Sequence, residues 1–311
     1  MEIVPQPVRK KRTKLKITSV LLITLILFIT ILQFIPVQPA EKQAFLKKGK
    51  RPLIIAHQGG DGMAPGDTLA AFSLSEKLGV DMLEMDVHLS KDEEVVVIYD
   101  ATVDRTTNGT GEVKDMTLAQ LKQLDAGFQF VGPDGSRPYR NKGVTIPTMD
   151  EIFTAFPGYP MTIELKTDEP LLADKMADLI KKHNMTDKVI IASFHDEALN
   201  YFIKATDGQV PVSSPSKATR NFVLSHKLFL DRLIPMNKYT AMQIPMQASG
   251  LNLTTGRIIK SLHDRNISVQ YWTINDEDSV RRLVEIGADG IMTDHPNIVK
   301  KVLDQEYGKA Q

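Results

Sequence analysis

The chain has 311 residues, equal numbers of basic and acidic side chains (38 each) and no cysteine. Disulfides and thiolate chemistry are therefore excluded, and any metal must be held by carboxylates, histidines or carbonyls, a donor set suited to a hard ion such as Mg²⁺ or Ca²⁺. The zero net charge hides an asymmetry: residues 1–16 carry six Lys/Arg and one acid, so the remainder holds 32 basic and 37 acidic residues, and a mildly acidic body argues against nucleic-acid binding.

Behind the basic residues 1–16 comes "ITSVLLITLILFITILQFIPV", 21 uncharged residues from Ile17 to Val37. At 1.5 Å per residue this run spans a bilayer core of about 30 Å, and the preceding positive charges place the N-terminus in the cytoplasm. The expectation is one uncleaved transmembrane anchor over 17–37, with the body outside the cell. A cleaved signal peptide is the alternative, but its apolar region would be unusually long and "VQPA" is a poor cleavage site. Residues 38–51 read as a linker.

From residue 52 onward, apolar β-branched runs alternate with helical patterns. "PLIIAH" (52–57) reads as a strand; 68–79 reads as a helix with Asp67 as N-cap and Gly79 as its stop. "DMLEMDVHL" (81–89) and "EVVVIY" (94–99) read as strands, and 101–147 as an inserted lobe, too long for a simple connection. Strands follow at 161–166, 189–193 and 267–274, with candidates near 209–213 and 241–247, then 290–294; helices lie between them, and 305–311 is a tail. Near-continuous apolar strands alternating with helices imply a parallel sheet covered by helices: an α/β fold, best matched by an irregular (β/α)₈ (TIM) barrel over 52–304, with an open doubly wound sheet as runner-up.

Sites in such folds form at the C-terminal ends of the strands. His57 ends the first strand, beside the glycine-rich "HQGGDGMAPG", a loop where a ligand can approach the backbone. Strand side chains alternate, so Glu84, Asp86 and His88 share one face, as do Glu164 and Lys166. Three inward acids are costly to bury unless neutralised, which points either to a divalent cation or to a cross-strand ion network with Lys166.

The segments "IAHQGGDGMAPGDTLAAF", "LGVDMLEMDVHLSKDEEVVVIYDATVDRTTNGTG", "IPTMDEIF", "IELK", "YWTIN" and "GADGIMTDHP" occur in the order and spacing of the glycerophosphodiester phosphodiesterase family. The chain resembles a membrane-anchored bacterial member over about residues 52–304. The resemblance implies an irregular TIM barrel with a small inserted lobe. It also implies hydrolysis of glycerophosphodiesters to sn-glycerol 3-phosphate and an alcohol, with Ca²⁺ or Mg²⁺, at the outer face of the membrane. Carried over by position, the metal ligands fall on Glu84, Asp86 and Glu164, the first catalytic histidine on His57, the phosphate-side lysine on Lys166 and the aromatic at the substrate mouth on Trp272.

Three positions depart from the family pattern. Its arginine after the first histidine is Gln58, expected to face substrate here; its glutamate in the following loop is Gly66; and its second catalytic histidine is Tyr99. A tyrosine, with a reference pKa of about 10, is a poor base at neutral pH. Either Tyr99 serves as an acid, or His88 takes over part of the missing role, or His88 is only a polar residue at a strand end. The alternative function is a catalytically impaired relative that binds metal and glycerophosphate groups as a sensor or scaffold. A weaker third reading is a lipid-directed phospholipase on the same barrel plan.

Overall fold

The computed structural model describes residues 9–46 and 49–308, residues 9–16 by their backbone alone. The strands are β1 (Leu53–Ala56), β2 (Met82–Leu89), β3 (Val95–Val97), β4 (Met161–Leu165), β5 (Val189–Ala192), β6 (Ala241–Ile244), β7 (Gln247–Ala248), β8 (Leu251–Asn252), β9 (Ser268–Tyr271) and β10 (Gly290–Thr293). The helices are α1 (Arg9–Leu32), α2 (Leu69–Leu78), α3 (Leu118–Leu121), α4 (Met149–Ala155), α5 (Pro170–Lys182), α6 (Asp196–Ala205), α7 (Ser216–Lys227), α8 (Gly256–His263), α9 (Glu277–Ile286) and α10 (Pro296–Tyr307).

Seven parallel strands run in the order β5-β4-β2-β1-β10-β9-β6. Parallel bridges Ile191↔Val212 and Ser213↔Ala241 join the two ends, so residues 212–213 fill an eighth position and close the barrel, excluding the open sheet. The barrel is irregular because β3 pairs antiparallel with β2 on its outside. Alternation along each strand sorts the side chains. Leu53, Ile55, Met82, Ile190, Ala241 and Met292 fill the barrel interior, whereas Ile54, Leu83, Met85, Ile163 and their neighbours pack against the helices. Val103, Val113, Leu121, Ala126 and Ile146 form a separate small core, so the 101–147 stretch is a packed lobe.

The termini and one cap differ from the sequence expectations. Among the described residues no helix is long and apolar enough to cross a membrane. Only 16 residues of the 17–37 run, Ile17–Leu32, lie in α1, a length of about 24 Å against the roughly 30 Å of a bilayer core. The rest turns onto the barrel ahead of Pro36: the Gln33 side-chain amide donates to the Phe229 carbonyl (2.8 Å) and Arg232 donates to the Ile35 carbonyl (2.8 Å). The six basic residues from Arg9 to Lys16 form the start of α1, and residues 1–8 lie outside the described residues.

The expected linker is part of the fold, since Leu46 is buried in the barrel-interior cluster and the Ala40 N–H donates to the Arg265 carbonyl (2.8 Å). Residues 47 and 48 of it lie outside the described residues. The last helix continues to Tyr307, into the expected tail, and 309–311 lie outside the described residues. Thr68, not Asp67, caps α2, its hydroxyl accepting from the Ala71 N–H (3.3 Å). Asp67 is released from capping and turns into the barrel mouth.

Candidate active site

Barrel closure assembles the site. β1 and β10 run in register with Ala56 opposite Thr293, so the next residues, His57 and Asp294, meet at the rim. Asp294 Oδ1 lies 2.7 Å from His57 Nδ1, and Asn275 donates to Asp294 Oδ2 (2.7 Å). With Nδ1 directed at a carboxylate, Nε2 is the nitrogen turned inward, 3.9 Å from Glu84 Oε2. Burial opposes the charged imidazole, but the Glu84 charge and the Asp294 hydrogen bond outweigh it and raise the His57 pKa to about 9.

Asp86 stands opposite Glu164 across the β2–β4 pair, with Glu84 one layer deeper beside Thr162. One oxygen from each of Glu84, Asp86 and Glu164 lies within 4.8 Å of the others. Lys166 Nζ reaches Asp86 (3.3 Å) and Glu164 (3.1 Å), so the cross-strand ion network is real, but one lysine faces three acids. Neither oxygen of buried Asp86 accepts a hydrogen bond, Oδ1 having only the Lys166 ion pair, and Asp67 Oδ2 accepts none; Asp67 Oδ1 accepts from the Asp86 N–H (3.4 Å). Burial, then the Glu84 charge, push Asp86 well above the ordinary carboxylate range; burial, then Asp86, do the same to Asp67, and burial raises Glu84. Converging buried oxygens are the donor set a hard divalent cation requires, so the residues fit such an ion.

The glycines of the first loop make the close approaches. A Cβ at Gly59 (φ 75°) would lie 2.6 Å from the Phe72 ring, and one at Gly62 would lie 2.2 Å from the His295 ring. Gln58 has left-handed backbone (φ 50°), and its N–H donates to Glu84 Oε2 (2.8 Å). Its side chain is buried under the loop beside Gly66, so its contribution to the centre comes from the backbone rather than from a side chain facing substrate, as expected from sequence. The Gly66 N–H is taken by Asp61 (3.0 Å), a carboxylate supplied from inside the loop.

Tyr99 lines the cavity with His57, Glu84 and Glu164. Lys166 Nζ sits 4.0 Å from its ring centroid, a cation–π contact. His88 is buried behind it, its Nε2 3.3 Å from the Tyr99 carbonyl, and burial lowers its pKa. His88 is not among the residues that line the cavity, and its Nε2 faces the residue-99 backbone. Trp272 lines the same cavity, edge-on to Phe194 (centroids 5.9 Å apart). The sequence reading missed Asp294, Asn275 and inward-turned Asp67; Asp294 stands in the quoted "GADGIMTDHP" after β10, the neighbour of β1, and Asn275 in "YWTIN" after β9, the next strand.

The pKa directions fix a pH dependence. His57 stabilises the cation-free protein fully below its unfolded value of about 6.5, and that stabilisation is lost as pH rises through about 9. The carboxyls raised above their unfolded values likewise favour the fold at low pH and lose that contribution as pH rises. A cation replaces the missing positive charge and competes with protons. Ca²⁺ or Mg²⁺ is therefore expected to raise Tm several degrees more at pH 8 than at pH 5 in thermal denaturation. An equal shift at both would contradict this.

Comparison with known proteins agrees with the geometry. The model of the "Glycerophosphoryl diester phosphodiesterase family" matches residues 57–298. A glycerophosphodiester phosphodiesterase of Caldanaerobacter subterraneus subsp. tengcongensis is 33% identical, over 80% of this chain and 98% of its own. A lysophospholipase D of Rattus norvegicus is 30% identical, over 85% and 88%. The structure of an Oleispira antarctica phosphodiesterase in complex with the product sn-glycerol-3-phosphate superposes with a TM-score of 0.66 at 27% identity, over 82% of this chain and 97% of that one.

Proposed function

The chain belongs to the glycerophosphoryl diester phosphodiesterase family and is a phosphoric diester hydrolase; we propose that it cleaves glycerophosphodiesters to sn-glycerol 3-phosphate and an alcohol with a bound divalent cation, Ca²⁺ or Mg²⁺. The observation that carries the metal dependence is the convergence of one oxygen each from Glu84, Asp86 and Glu164, with neither oxygen of buried Asp86 accepting a hydrogen bond.

In this reading Glu84, Asp86 and Glu164 hold the cation, which when bound neutralises phosphate charge and stabilises charge developing at phosphorus. Lys166 presents a second positive charge from the same rim. Asp294 holds His57 with Nε2 inward, and His57 Nε2 delivers the proton to the departing alcohol oxygen as water adds to phosphorus and the P–O bond breaks. Trp272 flanks the alcohol, Gln58 fixes Glu84 through its N–H, and Tyr99 orients Lys166 at the position of the family's second histidine. His88 fixes Tyr99 from behind.

The barrel, residues 52–304 with its 101–147 lobe, works as one domain at the outer face of the membrane. Support for this location is the six basic residues from Arg9 to Lys16 at the start of α1 and the exposure of Ile17, Val20, Leu21, Ile23, Leu25 and Ile26, which surround the helix and suit lipid contact. Fractionation of the full chain into membranes, accessible to protease from outside the cell, checks it.

The impaired-relative reading rests on Tyr99. The full chain with Ca²⁺ or Mg²⁺ is expected to release glycerol 3-phosphate from glycerophosphocholine, and Tyr99→His is expected to raise kcat by about tenfold or more, restoring a neutral-pH proton carrier. Wild-type silence beside an active Tyr99→His would establish the binding protein instead.

A further inference from the structure

Exposed apolar side chains gather at one edge of the barrel, where α7 ends. Leu228, Phe229 and Leu233 are all exposed there, Leu228 at 62%. The strap after α1 adds Phe34, at 80% the most exposed large apolar side chain among the described residues. Phe34 is pinned beside the others, because Gln33 on one side of it donates to the Phe229 carbonyl (2.8 Å) and the Ile35 carbonyl on the other side accepts from Arg232 (2.8 Å). Phe229 itself has left-handed backbone (φ 61°), a costly conformation for a bulky residue. The fold therefore holds this ring outward rather than burying it, with the Arg257 guanidinium 4.2 Å from its centroid. Single exposed leucines are ordinary; a cluster held in place this way is not.

Charge singles out the same edge. Beyond residue 16 acids outnumber bases, yet residues 216–238 hold five Lys/Arg and one acid, Asp231, which is buried. Helix α8 adds Arg257 and Lys260 and no acid. Asp264 pairs with Arg232 and Lys260. Lys227 and Arg257 meet only carbonyls, those of Asn252 and His226, and a carbonyl does not neutralise a cation. Apolar side chains flanked by such cations match an anionic bilayer surface: the apolar groups enter the headgroup layer while Lys and Arg meet lipid phosphate. A second copy of the chain fits less well, since a two-fold contact would set like charges face to face. The edge is also continuous with α1, whose apolar side chains are exposed around the helix.

Resting on the membrane location above, and going beyond the reaction, we propose that Phe34, Leu228, Phe229 and Leu233 form a seat for an anionic lipid bilayer, with Lys227 and Arg257 on its phosphates. The barrel rests on the lipid surface rather than hanging from α1. Leu224, one turn before Leu228, lines the active-site cavity, so the seat also sets which wall of that cavity stands nearest the lipid.

The chain has no cysteine, so Leu228→Cys, Leu233→Cys and Leu74→Cys each take a single environment-sensitive fluorophore in the full chain. All three positions are exposed, and Leu74 is the control: α2 follows β1, four places round the barrel from the 212–213 position that α7 follows. Each labelled chain, with circular dichroism matching wild type, is diluted from nonionic detergent into vesicles of phosphatidylcholine and phosphatidylglycerol with brominated acyl chains, and flotation scores attachment. Labels at 228 and 233 are expected to shift to the blue and lose at least about half of their emission to the bromines, while the label at 74 keeps its emission. Omitting phosphatidylglycerol is expected to reduce the loss at 228 severalfold. Chains that float with 228 and 233 no more quenched than 74, or with quenching indifferent to phosphatidylglycerol, overturn the seat and leave the membrane location standing. Disulfide dimers formed on oxidation by unlabelled Leu228→Cys but not by Leu74→Cys would show a second copy on this edge and overturn it as well. Chains that do not float overturn the location, and the seat falls with it.

Discussion

Asp86→Asn is expected to make the protein more stable in the absence of cation and nearly inactive in its presence. Asp86 is buried, faces Glu84, and accepts no hydrogen bond at either oxygen; Lys166 at 3.3 Å is shared with Glu164. Such a carboxylate destabilises the empty fold, and a neutral isostere removes that repulsion, for a gain of about 1 kcal/mol in ΔG of unfolding. The same change removes a charged ligand from the centre of the cluster. Loss of cation charge stabilisation is expected to cost at least about 10³-fold in kcat/KM. Urea denaturation with and without EDTA, beside turnover, checks both halves. A destabilised Asp86→Asn that kept its activity would show that the acids serve only the ion network with Lys166.

His57→Ala is expected to lower kcat by about 10²–10⁴, the usual loss when a positioned proton carrier is removed. Asp294→Asn should cost less and change the pH profile instead. The Asp294 hydrogen bond is among the forces that raise His57 to about 9, so without it the limb of the profile reporting His57 moves to lower pH. A bound cation that neutralises Glu84 acts in the same direction, which brings His57 toward the neutral range where one group serves both as acid and as base. A rate profile that moves in neither substitution would remove His57 from proton transfer.

These expectations divide according to what a linear sequence exposes. The inward faces of Glu84, Asp86, Glu164 and Lys166 follow from strand parity alone, and the structure places all four together. The barrel follows from repeated apolar strands and helices. Asp294 could not be placed by parity, because its neighbour His57 is 237 residues away and the two meet only when β10 closes against β1. Asp67 and Thr68 are both good N-cap types, and their order in the chain does not say which turns into the barrel; the backbone gives the cap to Thr68 and leaves Asp67 with the carboxylates. The apolar run 17–37 is long enough as a string, but Pro36 and the docking of Gln33 onto Phe229 end the helix at Leu32. Residue type assigns Gln58 to substrate through its side chain; its backbone N–H, invisible to residue type, is what reaches Glu84.

The account depends most on one divalent cation held by Glu84, Asp86 and Glu164 and required for cleavage. The direct measurement is calorimetric titration of Mg²⁺ and of Ca²⁺ into the EDTA-stripped full chain, with phosphodiester turnover followed at each point and Asp86→Asn in parallel. One binding event per chain, turnover rising with its occupancy, and neither in Asp86→Asn is the predicted result. Full turnover by the stripped protein, or cation binding that Asp86→Asn leaves intact, would contradict it.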